Sequence, residues 1–298
     1  MPRRSISLPF AIDLRRSMQA LRLGKHDPTV VLRERELAVA MRTPDGDATL
    51  AVHHHGDRFE VEAWGEGASW ALETAPSMLG CHDDRAGFDP PDPVVRRLHR
   101  EGDGLRLPRT LRVLDALVPA VLSQRVTGFE AKRSYRQLVE RWGRPAPGPG
   151  RLLLPPRPEA IADLAYYDLH VIGVEKKRAD ALQRVCAHAA RLERLGAASP
   201  HELRSRLEAI PGVGPWTSAE VARVALGDAD AVSVGDFHLK HLVSWALAAE
   251  PRGTDERMLE LLEPYLGHRG RVCTLLESAG LSAPKYGPRQ RIQPIADR

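Results

Sequence analysis

Cysteine is scarce in this sequence. Cys81, Cys186 and Cys273 lie far apart. They form no CxxC pair, no zinc-ligand spacing and no iron–sulfur run, which argues against a disulfide framework, a zinc ribbon and an iron–sulfur cluster. The expected state is three idle thiols in a reducing compartment, hence a cytoplasmic protein with no cofactor. Long apolar runs are missing too. None approaches the ~20 residues that a membrane span requires, so no membrane partner is expected. The segment from Leu8 to Ile12 is too short for a secretory signal, and Asp13 ends it. Lysine is sparse beside arginine, as high-GC coding would also produce. The formal net charge of +4 is mildly basic and permits a nucleic-acid partner without requiring one.

A chain of 298 residues favours two domains or one large one. Residues 1–90 read as β-rich. Short alternating runs at Thr29–Leu32, Leu37–Met41, Thr49–His53 and Arg58–Trp64 are separated by the turn-forming Pro44-Asp45-Gly46-Asp47 and His55-Gly56-Asp57. A helix is predicted over Ala71–Leu79, and Asp89–Pro93 reads as a boundary. From there to residue 282 the pattern is helical, with no internal repeat. Leu114, Leu117, Val118, Val121 and Leu122 fall at helical spacing. Pro119 inside that stretch implies a kink or a later start. Thr127-Gly128-Phe129-Glu130 is a capping-box pattern that opens a helix running to Trp142 and leaves Ser123–Val126 as a tight junction. A single helix is predicted over Glu175–Leu195. Lys176, Lys177 and Arg178 stand in its first turn, where the helix dipole disfavours cations, so either a phosphate compensates or the turn is simply solvated. Ser199-Pro200-His201-Glu202 starts another helix. The tail, 283–298, has little apolar content and is expected to be loosely ordered.

The most informative segment is Leu207-Glu208-Ala209-Ile210-Pro211-Gly212-Val213-Gly214-Pro215-Trp216-Thr217. Pro211 stops a helix. Gly212 and Gly214 allow positive φ and close approach of another molecule. A second helix begins at once, so its free amides and positive dipole end face the turn and form an anion site without base preference. The bland alternative is an ordinary corner closed by Pro-Gly. Downstream, Val232-Ser233-Val234-Gly235-Asp236 leads into an amphipathic helix carrying Leu239, Leu242, Val243 and Ala246. Asp236 would serve there as a cap, whatever else it does.

Taken together, hairpin, second helix, short crossover and Gly235-Asp236 resemble the helix–hairpin–helix–Gly/Pro–Asp DNA glycosylase superfamily. Ala120–Val126 and Leu169–Leu182 resemble further parts of that family. The β-rich start, with Phe10–Leu14, resembles the AlkA-type 3-methyladenine DNA glycosylase II. The resemblance implies an α+β fold: a mostly helical core of two subdomains behind a small antiparallel β-rich domain. It also implies a monomer that acts on double-stranded DNA and removes damaged, alkylated bases in base excision repair by base flipping and hydrolysis.

The resemblance assigns Asp236 the catalytic role, stabilising an oxocarbenium-like sugar and orienting water. Gln124 and Arg125 become the candidates to fill the gap left by the flipped base. DNA contacts are implied for Lys176, Lys177, Gly212, Gly214, Thr217 and His238. The carbonyls of Glu208, Ile210 and Val213 are implied ligands of a structural Na+ or K+. Bifunctional relatives carry a lysine where Trp216 stands, so base release without strand cleavage is predicted. Trp216 would line the base pocket or anchor the core. Where the AlkA-type pattern has a second aromatic, this chain has Glu220, which would contact the base, assist Asp236 or face solvent. The stacking cage is therefore depleted. Adjacent strand residues point to opposite faces, so His53-His54-His55 does not converge on a metal. Two rival readings are a non-catalytic hairpin module and a lesion sensor; neither needs a carboxylate at 236.

Overall fold

The computed structural model describes residues 2–8 and 10–284. The predicted tail lies outside the described residues from position 285 onward. Among the described residues, no helix is long and apolar enough to cross a membrane.

Five strands form one antiparallel sheet in the order β1-β5-β4-β3-β2. They are β1 (Arg3–Ser7), β2 (Val30–Leu32), β3 (Glu36–Thr43), β4 (Gly46–His55) and β5 (Arg58–Trp64). Period-two alternation creates the buried face. Leu37, Val39 and Met41, then Ala48, Leu50 and Val52, then Phe59, Val61 and Ala63 are buried with Ala71, Leu72 and Ala75 of helix α2 (Ala68–Met78) in one core. Each large apolar side chain buried there contributes about 1.5–3 kcal/mol. The register puts Leu50 opposite Val39 on one side and Ala63 on the other. The short helix α1 (Leu14–Ser17) is capped by Asp13. Strand β1 escapes the sequence reading because Ile6 is its only buried residue. His53 and His55 stack with ring centroids 6.4 Å apart, whereas His54 packs on Phe59 at 4.9 Å.

The helices build two further cores. The first contains α4 (Val113–Leu122), α5 (Gly128–Trp142), α6 (Pro158–Ala162), α7 (Tyr166–His170), α8 (Lys176–Ala187), α9 (Ala189–Glu193), α10 (Pro200–Glu208) and α11 (Pro215–Val221). The second joins α3 (Pro93–Glu101) to α12 (Leu239–Ala248), α13 (Asp255–Leu262) and α14 (Arg269–Ser278), far away in sequence. Local signals set the helix starts. Thr127 and Glu130 make the reciprocal capping box of α5. Ser199 caps α10 with Pro200 at its first position. Helix α4 runs through Pro119.

The single helix predicted over Glu175–Leu195 is instead α8, α9 and a 3₁₀ turn at Arg194–Ala197, broken at His188. Tertiary contacts impose the break. Glu193 accepts the amides of Val113 and Leu114 at 2.9 and 3.0 Å and so caps α4. Gly196 sits so close to Leu111 that a Cβ would lie 2.3 Å from its carbonyl oxygen.

The Arg271–Asp83 pair ties α14 to the segment leaving the sheet domain. Its two hydrogen bonds measure 2.8 and 2.7 Å, and both side chains are buried. Replacing Arg271 by Met strands a buried carboxylate. It is expected to cost about 3–5 kcal/mol in urea unfolding. Adding Asp83→Leu should restore much of that loss.

Candidate active site

Asp236 sits on the crossover between the two helical cores. One carboxylate oxygen, Oδ1, accepts the amides of His238 and Leu239 at 2.7 and 2.9 Å. The other, Oδ2, accepts the indole Nε1–H of Trp216 at 3.0 Å. Asp236 is therefore a cap of the α12 entrance and also a partner of α11. The backbone reaches it through Gly235, whose φ is +90°. Trp216 is half-buried against the first helical core.

A cleft opens beside Trp216, between the sheet domain and the first helical core. Thr29 and Met41 line it from the sheet side, and Ser123, Tyr135, Trp216 and Glu220 from the helical side. Trp216 and Tyr135 are the only aromatic residues lining it among those described. Both oxygens of Glu220 are engaged: Oε1 accepts the Ser233 hydroxyl, and Oε2 pairs with Arg223 at 2.9 Å. Arg223 also pairs with Glu277 at 3.0 Å. These two carboxylates raise the guanidinium pKa, while burial raises that of Glu277.

The hairpin joins α10 to α11. Gly212 takes φ +96°, as its sequence context suggested. Gly214 does not; it caps α11 at φ −109° and ψ −177°, an extended conformation open to any residue. A Cβ on Gly214 would meet nothing within 4 Å, so no intramolecular contact demands glycine there. Among the described residues, the amides of Gly212, Gly214, Trp216 and Thr217 donate to no backbone carbonyl. Thr217 is buried, and its hydroxyl accepts from Gln124 Nε2 at 2.9 Å. Gln124 also donates to the carbonyl of Gly212 at 2.9 Å. The helix junction is thereby pinned to the hairpin, and Gln124 is occupied by it. Arg125 next to it is exposed and holds a left-handed φ of +53°, costly for a residue with a side chain.

The basic first turn of α8 divides. Lys176 pairs with Asp180, and Lys177 is exposed. Arg178 is no surface cation: it is 2% exposed and donates to the carbonyls of Leu122 and Gly173, each at 2.9 Å. Burial lowers its pKa. His238 is exposed, with its ring against Phe237 at 5.0 Å. Phe237, 71% exposed beside Asp236, was missed in the sequence; an aromatic in a polar loop was the available signal. Asp255 and Glu277 were missed as well, with no local signal to find them. Burial pushes the Cys186 thiol up to about 12, so it is inert at neutral pH.

Residues 118–266 match the family model described as "HhH-GPD superfamily base excision DNA repair protein", half of the chain. The chain belongs to the HhH-GPD superfamily. A Mycobacterium tuberculosis protein named "Probable bifunctional transcriptional activator/DNA repair enzyme AlkA" is 32% identical over 151 residues, 50% of this chain and 30% of that protein. The chain thus spans less than a third of that relative's length. The solved 3-methyladenine DNA glycosylase of Archaeoglobus fulgidus superposes with a TM-score of 0.79 at 19% identity, over 94% of this chain and 99% of that one. The Schizosaccharomyces pombe 3-methyladenine DNA glycosylase in complex with abasic DNA gives 0.53 at 20% identity, over 67% and 96%. These likenesses establish the α+β fold, sheet domain included.

The two hairpin glycines of this HhH-GPD chain should respond differently to alanine. At Gly212 the positive φ combines with a Cβ contact of 2.7 Å to Ala181. The substitution is expected to cost about 1–3 kcal/mol in urea unfolding. Gly214→Ala should change stability by less than about 0.5 kcal/mol.

Proposed function

We propose that this HhH-GPD chain is a monofunctional DNA glycosylase that removes alkylated bases from duplex DNA. The observation that carries the reading is the Asp236 carboxylate, held by three N–H donors, one of them the indole of Trp216, which lines the cleft. Such donors orient the group without taking all of its lone pairs.

The free amides at the hairpin and the start of α11 grip a phosphate. An alanine methyl at Gly214 would stand between them and the backbone they bind. The carbonyls of Glu208 and Val213 accept no hydrogen bond among the described residues, and that of Ile210 accepts only the Val213 amide. This set fits a monovalent cation, whose charge would add to the phosphate grip. Arg125, exposed on a strained backbone, is the better of the two gap-filling candidates, since Gln124 is tied to the hairpin. Phe237 and His238 present an aromatic edge to the same DNA face. Lys176 and Lys177 would contribute backbone charge.

The target nucleotide rotates out of the stack, at least cost for a damaged base. Trp216 offers it one aromatic face in the cleft. As the bond from C1′ to the base nitrogen breaks, the base leaves with the electron pair and the sugar becomes cationic. Asp236 stabilises that charge at short range. Water then bonds to C1′ and its proton passes to Asp236 or solvent. No amine stands where Trp216 is, and the nearby Lys240 is paired with Asp255 at 3.3 Å. The products are a free base and an intact abasic strand.

The test is chromatographic detection of free base from duplexes carrying one alkylated, deaminated or oxidised base. Alkylated base release is expected, and Asp236→Asn should lower the rate roughly 10²–10³-fold. Borohydride should trap no protein–DNA adduct. A wild-type protein that releases no damaged base would overturn the reading.

A further inference from the structure

We infer that Glu220 and Asp255 are positioning residues that hold the Ser233–Asp236 loop, and with it the catalytic carboxylate, from opposite sides. The inference rests on the role proposed for Asp236.

The loop needs external ties. Gly235 adopts φ +90°, so the residue next to the carboxylate is conformationally permissive. On one side, the buried Ser233 gives its hydroxyl to Glu220 Oε1, while its carbonyl accepts the Asp236 amide at 3.1 Å. Two consecutive bonds thus connect α11 to the Asp236 backbone. On the other side, Asp255 Oδ1 accepts the Gly235 amide at 3.0 Å, and its Oδ2 is held by Lys240. Glu220 is itself fixed. After α11 the chain widens into a π-helical turn, Ala222–Leu226. Arg223 in that turn reaches Glu220 with one nitrogen and Glu277 of α14 with the other.

Helical spacing gives this arrangement its logic. Trp216 and Glu220 are one turn apart on α11, on the same face. The upper residue holds the Asp236 side chain and the lower one holds its backbone. Both contacts set the distance from the carboxylate to a developing sugar cation. Misplacement by about 1 Å in such a site costs up to 10²-fold in rate. Glu220 therefore occupies an aromatic position of the related pattern and does different work: it fixes geometry rather than stacking on a base.

The test compares affinity for two duplexes. One carries a pyrrolidine abasic analogue with a cationic ring nitrogen, the other a neutral tetrahydrofuran analogue. Wild type should prefer the cationic analogue at least about tenfold. Ser233→Ala and Asp255→Ala should each remove most of that preference and change neutral-analogue binding less than about twofold, because phosphate contacts set the neutral affinity. Glu220→Gln keeps an acceptor for Ser233 and should retain most of the preference. A purely structural role would move melting temperature and both affinities together. An undiminished preference in both alanine variants overturns the inference. A wild type with no preference overturns the role of Asp236 itself, and the positioning role with it.

Discussion

The hydrogen bond from the Trp216 indole to Asp236 organises the proposed site. It spans the seam between the two helical cores and fixes a carboxylate on the loop that connects them. Hydrogen bonds of this kind are stronger in partly buried surroundings than in water. Trp216 also belongs to the first turn after the hairpin. The open hairpin amides and the indole that holds the carboxylate are therefore separated by a few residues of rigid helix rather than by a loop. Gln124 extends the same unit, because its amide joins the helix junction to both Gly212 and Thr217. Segments remote in sequence, at 124–125, 212–217, 233–239 and 255, are thus fixed to one another.

The sheet domain has a definite part in this arrangement. It forms the far wall of the cleft through Thr29 and Met41, so a base entering beside Trp216 would meet both domains. The buried Arg271–Asp83 pair keeps the segment leaving the sheet docked on α14. Glu277, on that same helix, reaches back to Arg223. Cleft shape and loop position consequently depend on one set of domain contacts.

Features set by local chemistry were legible in the sequence. The capping box at Thr127 and Glu130, the Ser199-Pro200 start and the alternation of Arg58–Trp64 all fall where local rules place them. The hairpin and Asp236 were legible as a pattern, and the structure adds that Asp236 both caps and bridges. What could not be read depends on partners far along the chain. Arg178 looks like a surface cation until Leu122 and Gly173 are brought beside it. The break at His188 follows from Glu193 capping a helix some eighty residues earlier. Gly214 has the residue type of a left-handed turn but not its conformation. Glu220 gave no hint of Ser233, although Arg223 stands beside it at i,i+3 spacing, and Asp255 carried no signal at all.

On the proposed function, Trp216 would act through Asp236, by holding the carboxylate, and not only by stacking on a base. A double-mutant cycle on base excision under single-turnover conditions tests it most directly, using Trp216→Phe, which keeps an aromatic face but loses the N–H, together with Asp236→Asn. Strong coupling is expected: the double variant should be no slower than Asp236→Asn alone, within about twofold. Rate losses that simply multiply would contradict it.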